Sequence, residues 1–282
     1  MLEKLYQNKQ QLLTNIKKKF LDSNSLTIKI GCELEFFLLE ENGQSLGNLE
    51  IIEGLRSDLD VKLTREFPLI YHLEKEMGRS QFEMKTQYIE NLSDLCDQII
   101  RAKIFIHEYA KDKNLTASFD AQPFKDDCGN ALQLNISLHG DDDFNSNQVI
   151  AGLLDYTNQM LPILAPASDD HLRFDVDLNR ELHKKGKYVA PTYLVYGYDN
   201  RSAAIRLVNS RIEYRVACAD ADPYLVISAA LCAILKGINE KSKLQDRSRI
   251  YGNAFDEQYS FKKIEIYSAK NLFIEEMLGY LE

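Results

Sequence analysis
Apolar positions recur along the chain in two rhythms, one near every third or fourth residue and one at every second residue. Leu2, Leu5, Leu12, Ile16 and Phe20 follow the first, predicting an amphipathic N-terminal helix that ends near Asp22-Ser23-Asn24. Leu92 to Lys113 repeats the pattern through Leu92, Leu95, Ile99, Ile100, Ile106 and Ala110, with Ser93 as the expected cap. A further helix is expected over Gln148 to Leu164, stopped around Pro162 and Pro166. Tyr224 to Ile238 is apolar on all sides and so predicts a deeply buried helix. The second rhythm, rich in β-branched and aromatic residues, predicts strands at Leu26 to Leu39, Gln81 to Thr86, Leu115 to Phe119 and Ala131 to His139. Three more strand-like segments follow at Thr192 to Gly197, Ser202 to Leu207 and Arg211 to Val216. Strands and helices mix without strict βαβ alternation, which favours an α+β fold with an antiparallel sheet. No repeat or Gly/Ser/Pro linker interrupts the chain, so one domain is expected over 26–282, with 1–25 as an N-terminal helix.

Composition narrows the class. With 282 residues, 45% hydrophobic and 27% charged, the chain has enough apolar side chains to offset the entropy of ordering. No apolar run approaches the roughly 20 residues of a membrane helix, so no membrane partner is expected. The opening segment lacks the unbroken apolar stretch of a secretory signal. Five cysteines without ligand spacing fit a reduced, cytoplasmic protein. A net charge of −9 argues against a nucleic-acid partner, although local arginines decide whether small anions bind.

Three segments carry candidate chemistry. Glu33 and Glu35 lie two apart in an otherwise apolar strand, so their carboxylates share a face with Cα atoms about 7 Å apart. On a buried face such a pair repels unless a cation holds it; on an edge strand it is simply wet. Glu76 and Glu83 bracket a turn containing Gly78, a weak signal by itself because Glu is abundant. Arg211-Ile212-Glu213-Tyr214-Arg215, if extended, sets Arg, Glu and Arg on one face, with Arg201 and Arg206 just upstream. These guanidinium groups suit an inward clamp on carboxylate or phosphate, or a set of surface salt bridges worth little each. The chain has no P-loop, no GxGxxG after a strand and no GxSxG. The five histidines are scattered, and Asp141-Asp142-Asp143 reads as a solvated loop because the EF-hand spacing is absent.

In order, GCELEFF, EMGRSQFE, FDAQPFKDDCGNALQLNISL, YVAPTYLVYGYDNRSAAIRL and RIEYRVACADADPYL resemble the signature segments of the glutamine synthetase catalytic domain, from about Lys29 to Ile238. The resemblance implies that domain's curved antiparallel sheet with helices packed on one side. It also implies a ligase that uses ATP to activate glutamate, or a similar acid, as a γ-glutamyl phosphate, which ammonia or an organic amine then attacks. One or two Mg²⁺ or Mn²⁺ ions are implied as cofactors. Carried over by position, Glu35, Glu76 and Glu83 would hold the first ion, and Glu33, Glu213 and Gln133 the second. Arg201, Arg206, Arg211 and Ser137 would contact ATP and the transferring phosphoryl group. Arg173, Arg215 and Gly129 would bind the substrate carboxylate, with Arg201 and Arg173 acting in catalysis.

The departures from the family pattern carry expectations too. Gln133 and Asn135 stand where the family has histidines, Cys128 where it has an asparagine, and Val189 where it has the glutamate that deprotonates ammonium. An inserted stretch, 174–188, offers Asp175, Asp177 or Glu181 as substitutes for that glutamate. The loop between Arg206 and Arg211 is shorter than in the family. Only about thirty residues precede the ExE strand, fewer than a β-grasp domain needs, so the catalytic domain alone is expected, as a monomer or dimer. A relative that binds nucleotide or a partner protein without turnover is the other reading of these departures.

Overall fold
The computed structural model describes residues 1–24, 26–139, 146–209, 211–244, 248–256, 259–265 and 271–282. Asp141-Asp142-Asp143 lies outside them. The predicted N-terminal helix is two helices, α1 (Leu2–Gln7) and α2 (Lys9–Asn24), interrupted at Asn8. Leu5, Leu12, Leu13, Ile16 and Phe20 are fully buried in the main hydrophobic core. Next come β1 (Thr27–Glu40), α3 (Leu49–Glu66), β2 (Ile70–Lys75), β3 (Gln81–Thr86), α4 (Leu92–Asp112), β4 (Leu115–Ser118), β5 (Leu132–His139) and α5 (Ser146–Leu164). A 3₁₀ turn (Asp170–Phe174) then leads into α6 (Val176–Lys184), β6 (Tyr196–Tyr198), β7 (Ile205–Val208), β8 (Arg211–Tyr214), α7 (Pro223–Asn239) and α8 (Leu272–Gly279).

Asn91, not Ser93, caps α4, because the helix begins at Leu92 and Ser93 already lies inside its first turn; the Asn91 side chain accepts from the Asp94 N–H. Helix α5 runs through Pro162 and stops at Leu164. The last three strands are shorter than their apolar patterns, since bends and turns take up part of each segment. Helices α3, α6 and α8 and strand β2 had no sequence prediction.

The strands form one sheet in the order β2-β3-β1-β5-β8-β7-β6, with β4 also paired to β1. Its pairings are antiparallel, as expected, except for the parallel pair β6–β7 at one end. Side chains alternate across it. Ile28, Ile30, Cys32, Leu34, Phe36 and Leu38 of β1 point into the main core, as do Phe82 and Met84 of β3, Leu134 and Ile136 of β5, and Ile212 and Tyr214 of β8. Helices α1–α5, α7 and α8 contribute to that same core, which places them on one side of the sheet. Helix α7 is buried almost throughout, as its all-round apolar sequence predicts. It packs on α5 so closely that a Cβ added at Gly237 would lie 2.2 Å from the Gln148 carbonyl oxygen and 2.8 Å from the Gly152 Cα.

Candidate active site
The other face of the sheet is polar. Glu35 of β1 stands opposite Glu83 of β3, which stands opposite Glu74 of β2. Glu33 has Lys85 on one side and Gln133 of β5 on the other. One rung along, Asn135 faces Glu213 of β8, which faces Arg206 of β7. β1 is interior to the sheet, which excludes the wet-edge reading of its two glutamates.

All of these side chains except Asn135 line one cavity of about 380 Å³. Its walls include Glu33, Glu35, Glu76, Glu83, Gln133, Glu213, Arg201, Arg206, Arg211 and Arg215, all singled out from sequence, together with Glu74, Lys85 and Tyr188, which were not. Gly129 and Arg173 line a small adjoining pocket of about 20 Å³ that shares Glu35, Glu76, Gln133, Tyr188 and Arg215. Ser137 is on the same face of β5 but further along, opposite Lys29, and is not part of either lining. Glu74 was legible as a second Glu-x-Glu pair with Glu76, had Ile70 to Lys75 been read as a strand.

Carboxylate oxygens of Glu74, Glu76 and Glu83 lie within 4.8 Å of one another. Burial, and then the neighbouring Glu33, Glu35 and Glu76, push the Glu83 carboxyl well above the usual range. Burial, with Glu76 next in effect, raises Glu35 to about 7. Glu33 and Glu76 are raised as well, in both cases chiefly by burial. Crowded hard-oxygen donors of this kind fit one Mg²⁺ or Mn²⁺ ion. The second expected ligand set does not fit. Glu213 is surrounded by guanidinium groups, with Arg206 at 2.9 Å, Arg215 at 3.3 Å and Arg211 at 3.7 Å. Gln133 donates its amide N–H to Glu35 Oε1 at 2.7 Å, while the Ala131 N–H holds Glu35 Oε2 at 2.8 Å.

A carboxyl protonated up to about pH 7 in the fold, but ionising near 4.5 when unfolded, supports the fold less and less as pH climbs between those values. The metal-free protein is therefore expected to lose stability over that interval, and added divalent ion to restore it. In thermal unfolding with EDTA against excess Mn²⁺, we expect Mn²⁺ to raise Tm by about 5 °C at neutral pH and by less than half of that near pH 5.5. An increment independent of pH would contradict the crowded-carboxylate account.

The arginines divide into fixed and free. Arg215 is buried and donates to the carbonyl oxygens of Ala203 (3.2 Å), Val189 (3.3 Å) and Arg201. Arg173, also buried, donates to the carbonyl oxygens of Val216 (2.8 Å) and Arg215 (3.1 Å). Arg206 bonds Asp199 as well as Glu213, and Arg211 donates to the Tyr88 hydroxyl at 3.0 Å. With Glu213 and Arg215 buried and Arg206 partly buried, the surface-salt-bridge reading fails for this cluster. Arg201 differs: it is exposed, its guanidinium carbon sits 4.2 Å from the centre of the Tyr188 ring, and no ion-pair partner is found among the described residues.

Gly129 admits no side chain, since a Cβ would lie 2.5 Å from the Ala121 carbonyl oxygen and 3.0 Å from the Arg173 side chain. Cys128 is buried and its thiol contacts the Tyr188 carbonyl oxygen at 3.3 Å. Val189 packs on Leu182 of α6 and on Phe255. The acids of the inserted stretch are placed elsewhere: Asp175 caps α6, Asp177 pairs with Arg180 and Glu181 with Lys184. None of the three lines the cavity.

The chain as a whole has counterparts among known proteins. Residues 51–269 match the family model described as glutamine synthetase, catalytic domain. The chain belongs to the glutamine synthetase family. It is 31% identical over 239 residues to the glutamine synthetase of Pyrococcus abyssi, covering 75% of this chain and 52% of that protein. It is 27% identical over 231 residues to the gamma-glutamylputrescine synthetase PuuA of Escherichia coli, covering 76% of this chain and 46% of that protein. The chain thus spans about half the length of the curated relatives it matches. Among solved structures, GmaS without ligand superposes with a TM-score of 0.75 at 20% identity, over 96% of this chain and 68% of that one. Plasmodium falciparum glutamine synthetase superposes with a TM-score of 0.66 at 19% identity, over 82% of this chain and 56% of that one. These likenesses establish the glutamine synthetase catalytic-domain fold, α+β as expected. Among the described residues no helix is long and apolar enough to cross a membrane.

Proposed function
We propose that this glutamine synthetase-family chain is an ATP-dependent carboxylate–amine ligase. A γ-phosphoryl group passes from ATP to the side-chain carboxylate of glutamate or a similar acid, giving an acyl phosphate and ADP. The amine, ammonia or an organic amine, then attacks the acyl carbon and expels phosphate, losing one proton as the amide forms. The observation that carries this reading is the single cavity in which five sequence-identified glutamates meet four arginines. Phosphoryl transfer is largely positioning and charge neutralisation, and that combination of groups supplies both.

In this reading Arg201, with no ion-pair partner among the described residues, meets the transferring phosphoryl group, while Arg206 and Arg211 hold the triphosphate. Ser137, further along β5, contacts the nucleotide. Arg173, Arg215 and Gly129 form the carboxylate end, where backbone carbonyls lock both guanidinium groups in place. Glu35, Glu76 and Glu83 would hold a divalent ion, with Glu74 beside them, and such an ion would supply positive charge for phosphoryl transfer. Val189 leaves no carboxylate at its position to take a proton from ammonium, which favours an amine that arrives as the free base.

The test is incubation with ATP, Mg²⁺ or Mn²⁺, glutamate and hydroxylamine, followed by measurement of γ-glutamyl hydroxamate and ADP. Product is expected, and Glu35→Ala and Arg201→Ala are each expected to lower its rate at least about a hundredfold while leaving the far-ultraviolet circular dichroism unchanged. Full activity in either variant would overturn the assigned roles. The second reading, a relative that binds nucleotide without turnover, is favoured by the complete pairing of Glu213 and by the bond from Gln133 to Glu35. It predicts ATP binding with no hydroxamate for any acid.

A further inference from the structure
Lys85 projects from β3 into the acidic end of the cavity, opposite Glu33 in the β1–β3 register. Its ammonium group bonds Glu74 and lies 3.2 Å from Glu83 Oε1, with the side chain 21% exposed. Six carboxylates line the cavity, and three of them are already ion-paired within the protein: Glu74 and Glu83 with Lys85, Glu213 with three arginines. Among the described residues, Glu33, Glu35 and Glu76 have no such partner.

We propose that the Lys85 ammonium is a resident cation of the carboxylate cradle, standing in for one divalent ion, so that the chain holds a single ion where its acids would otherwise hold two. The inference rests on the reading of the cradle as a cation site. Three independent contacts support it. Lys85 holds carboxylate oxygens of Glu74 and Glu83 and stands in register opposite Glu33, an acid of the second expected ligand set. Glu213, the acid furthest across the cavity from them, has guanidinium nitrogens against both of its oxygens. Gln133, between the two ends, turns an N–H rather than its carbonyl oxygen toward Glu35. A fixed ammonium beside these acids also repels any further ion by like charge in a partly buried setting.

The experiment is Mn²⁺ binding to the full chain at pH 7.5 without nucleotide, followed by electron paramagnetic resonance of the free ion and by isothermal titration calorimetry. About one Mn²⁺ per chain is expected for the natural protein. Lys85→Met is expected to take up a second ion, and Lys85→Arg, which keeps the charge, to stay at one. Two ions in the natural protein, or no change in Lys85→Met, would overturn the role of Lys85 while leaving the cradle intact as a cation site. No bound Mn²⁺ in either protein would instead overturn the cation reading itself and this inference with it. Lys85→Gln is the alternative variant should Lys85→Met not fold, and the count on the natural protein decides the matter without any variant.

Discussion

Replacing Glu213 by alanine is expected to destabilise the protein by about 4 kcal/mol, because it strands positive charge in a place that water reaches poorly. Glu213 is 2% exposed and Arg215 6%. Arg206 keeps Asp199 as a partner on the surface side, and Arg211 keeps the Tyr88 hydroxyl. Arg215 keeps only carbonyl oxygens, and its Nε has no hydrogen-bond acceptor even with Glu213 present. The loss therefore falls mainly on a buried guanidinium whose other acidic neighbour, Glu35, already has both oxygens bonded to Gln133 and Ala131. Urea unfolding at neutral pH should show a lower midpoint with an unchanged slope. Glu213→Gln should recover part of the loss by accepting hydrogen bonds without supplying charge. A destabilisation below about 1 kcal/mol would mean that these groups are solvated as surface pairs are, contrary to their burial.

Gly237→Ala should be nearly as damaging, for a steric rather than an electrostatic reason. The new methyl group would overlap the Gln148 carbonyl oxygen at 2.2 Å, and also the Gly152 Cα and N at 2.8 and 2.9 Å. All three are backbone atoms of α5, so no side-chain rotation relieves the clash and the two helices must separate. Separation opens gaps around neighbours in α5 and α7 that are almost wholly buried. We expect a loss of about 3 kcal/mol, net of the roughly 1 kcal/mol that alanine gains over glycine within a helix. Chemical unfolding of the variant measures it, and Gly54→Ala on the exposed face of α3, where a Cβ meets nothing within 4 Å, is the control expected to be neutral or slightly stabilising.

Much of the site was legible because β-strand alternation turns sequence spacing into facing. Glu33 with Glu35, and Arg211 with Glu213 and Arg215, could be put on shared faces before any coordinates were known. That Glu76 and Glu83 would join them came from the order of motifs, since a turn containing Gly78 sets no direction by itself. Glu74 and Lys85 were missed for different reasons. Ile70 to Lys75 pairs with only one neighbouring strand, so its half-exposed pattern lacks the apolar run that marks an interior strand. Lys85 carries no signal in its residue type or spacing, and only the register that sets it against Glu33 gives it significance. Tyr88 meets Arg211 across a long stretch of chain and Tyr188 meets Arg201 across a nearby loop, contacts that no strand or helix periodicity encodes. The acids of the inserted stretch misled in the opposite sense: their abundance suggested chemistry, but they cap and brace α6.

Because chemistry and core are threaded through the same strands on odd and even positions, the sheet has in effect a reading frame. Adding or deleting one residue inside β1 would send Glu33 and Glu35 toward the helices and bring Leu34 and Phe36 out among the arginines, ruining packing and site in one stroke. Changes of length in such a chain can survive only where parity is lost without consequence, in the turns between strands. Anyone grafting or shortening this scaffold should cut there.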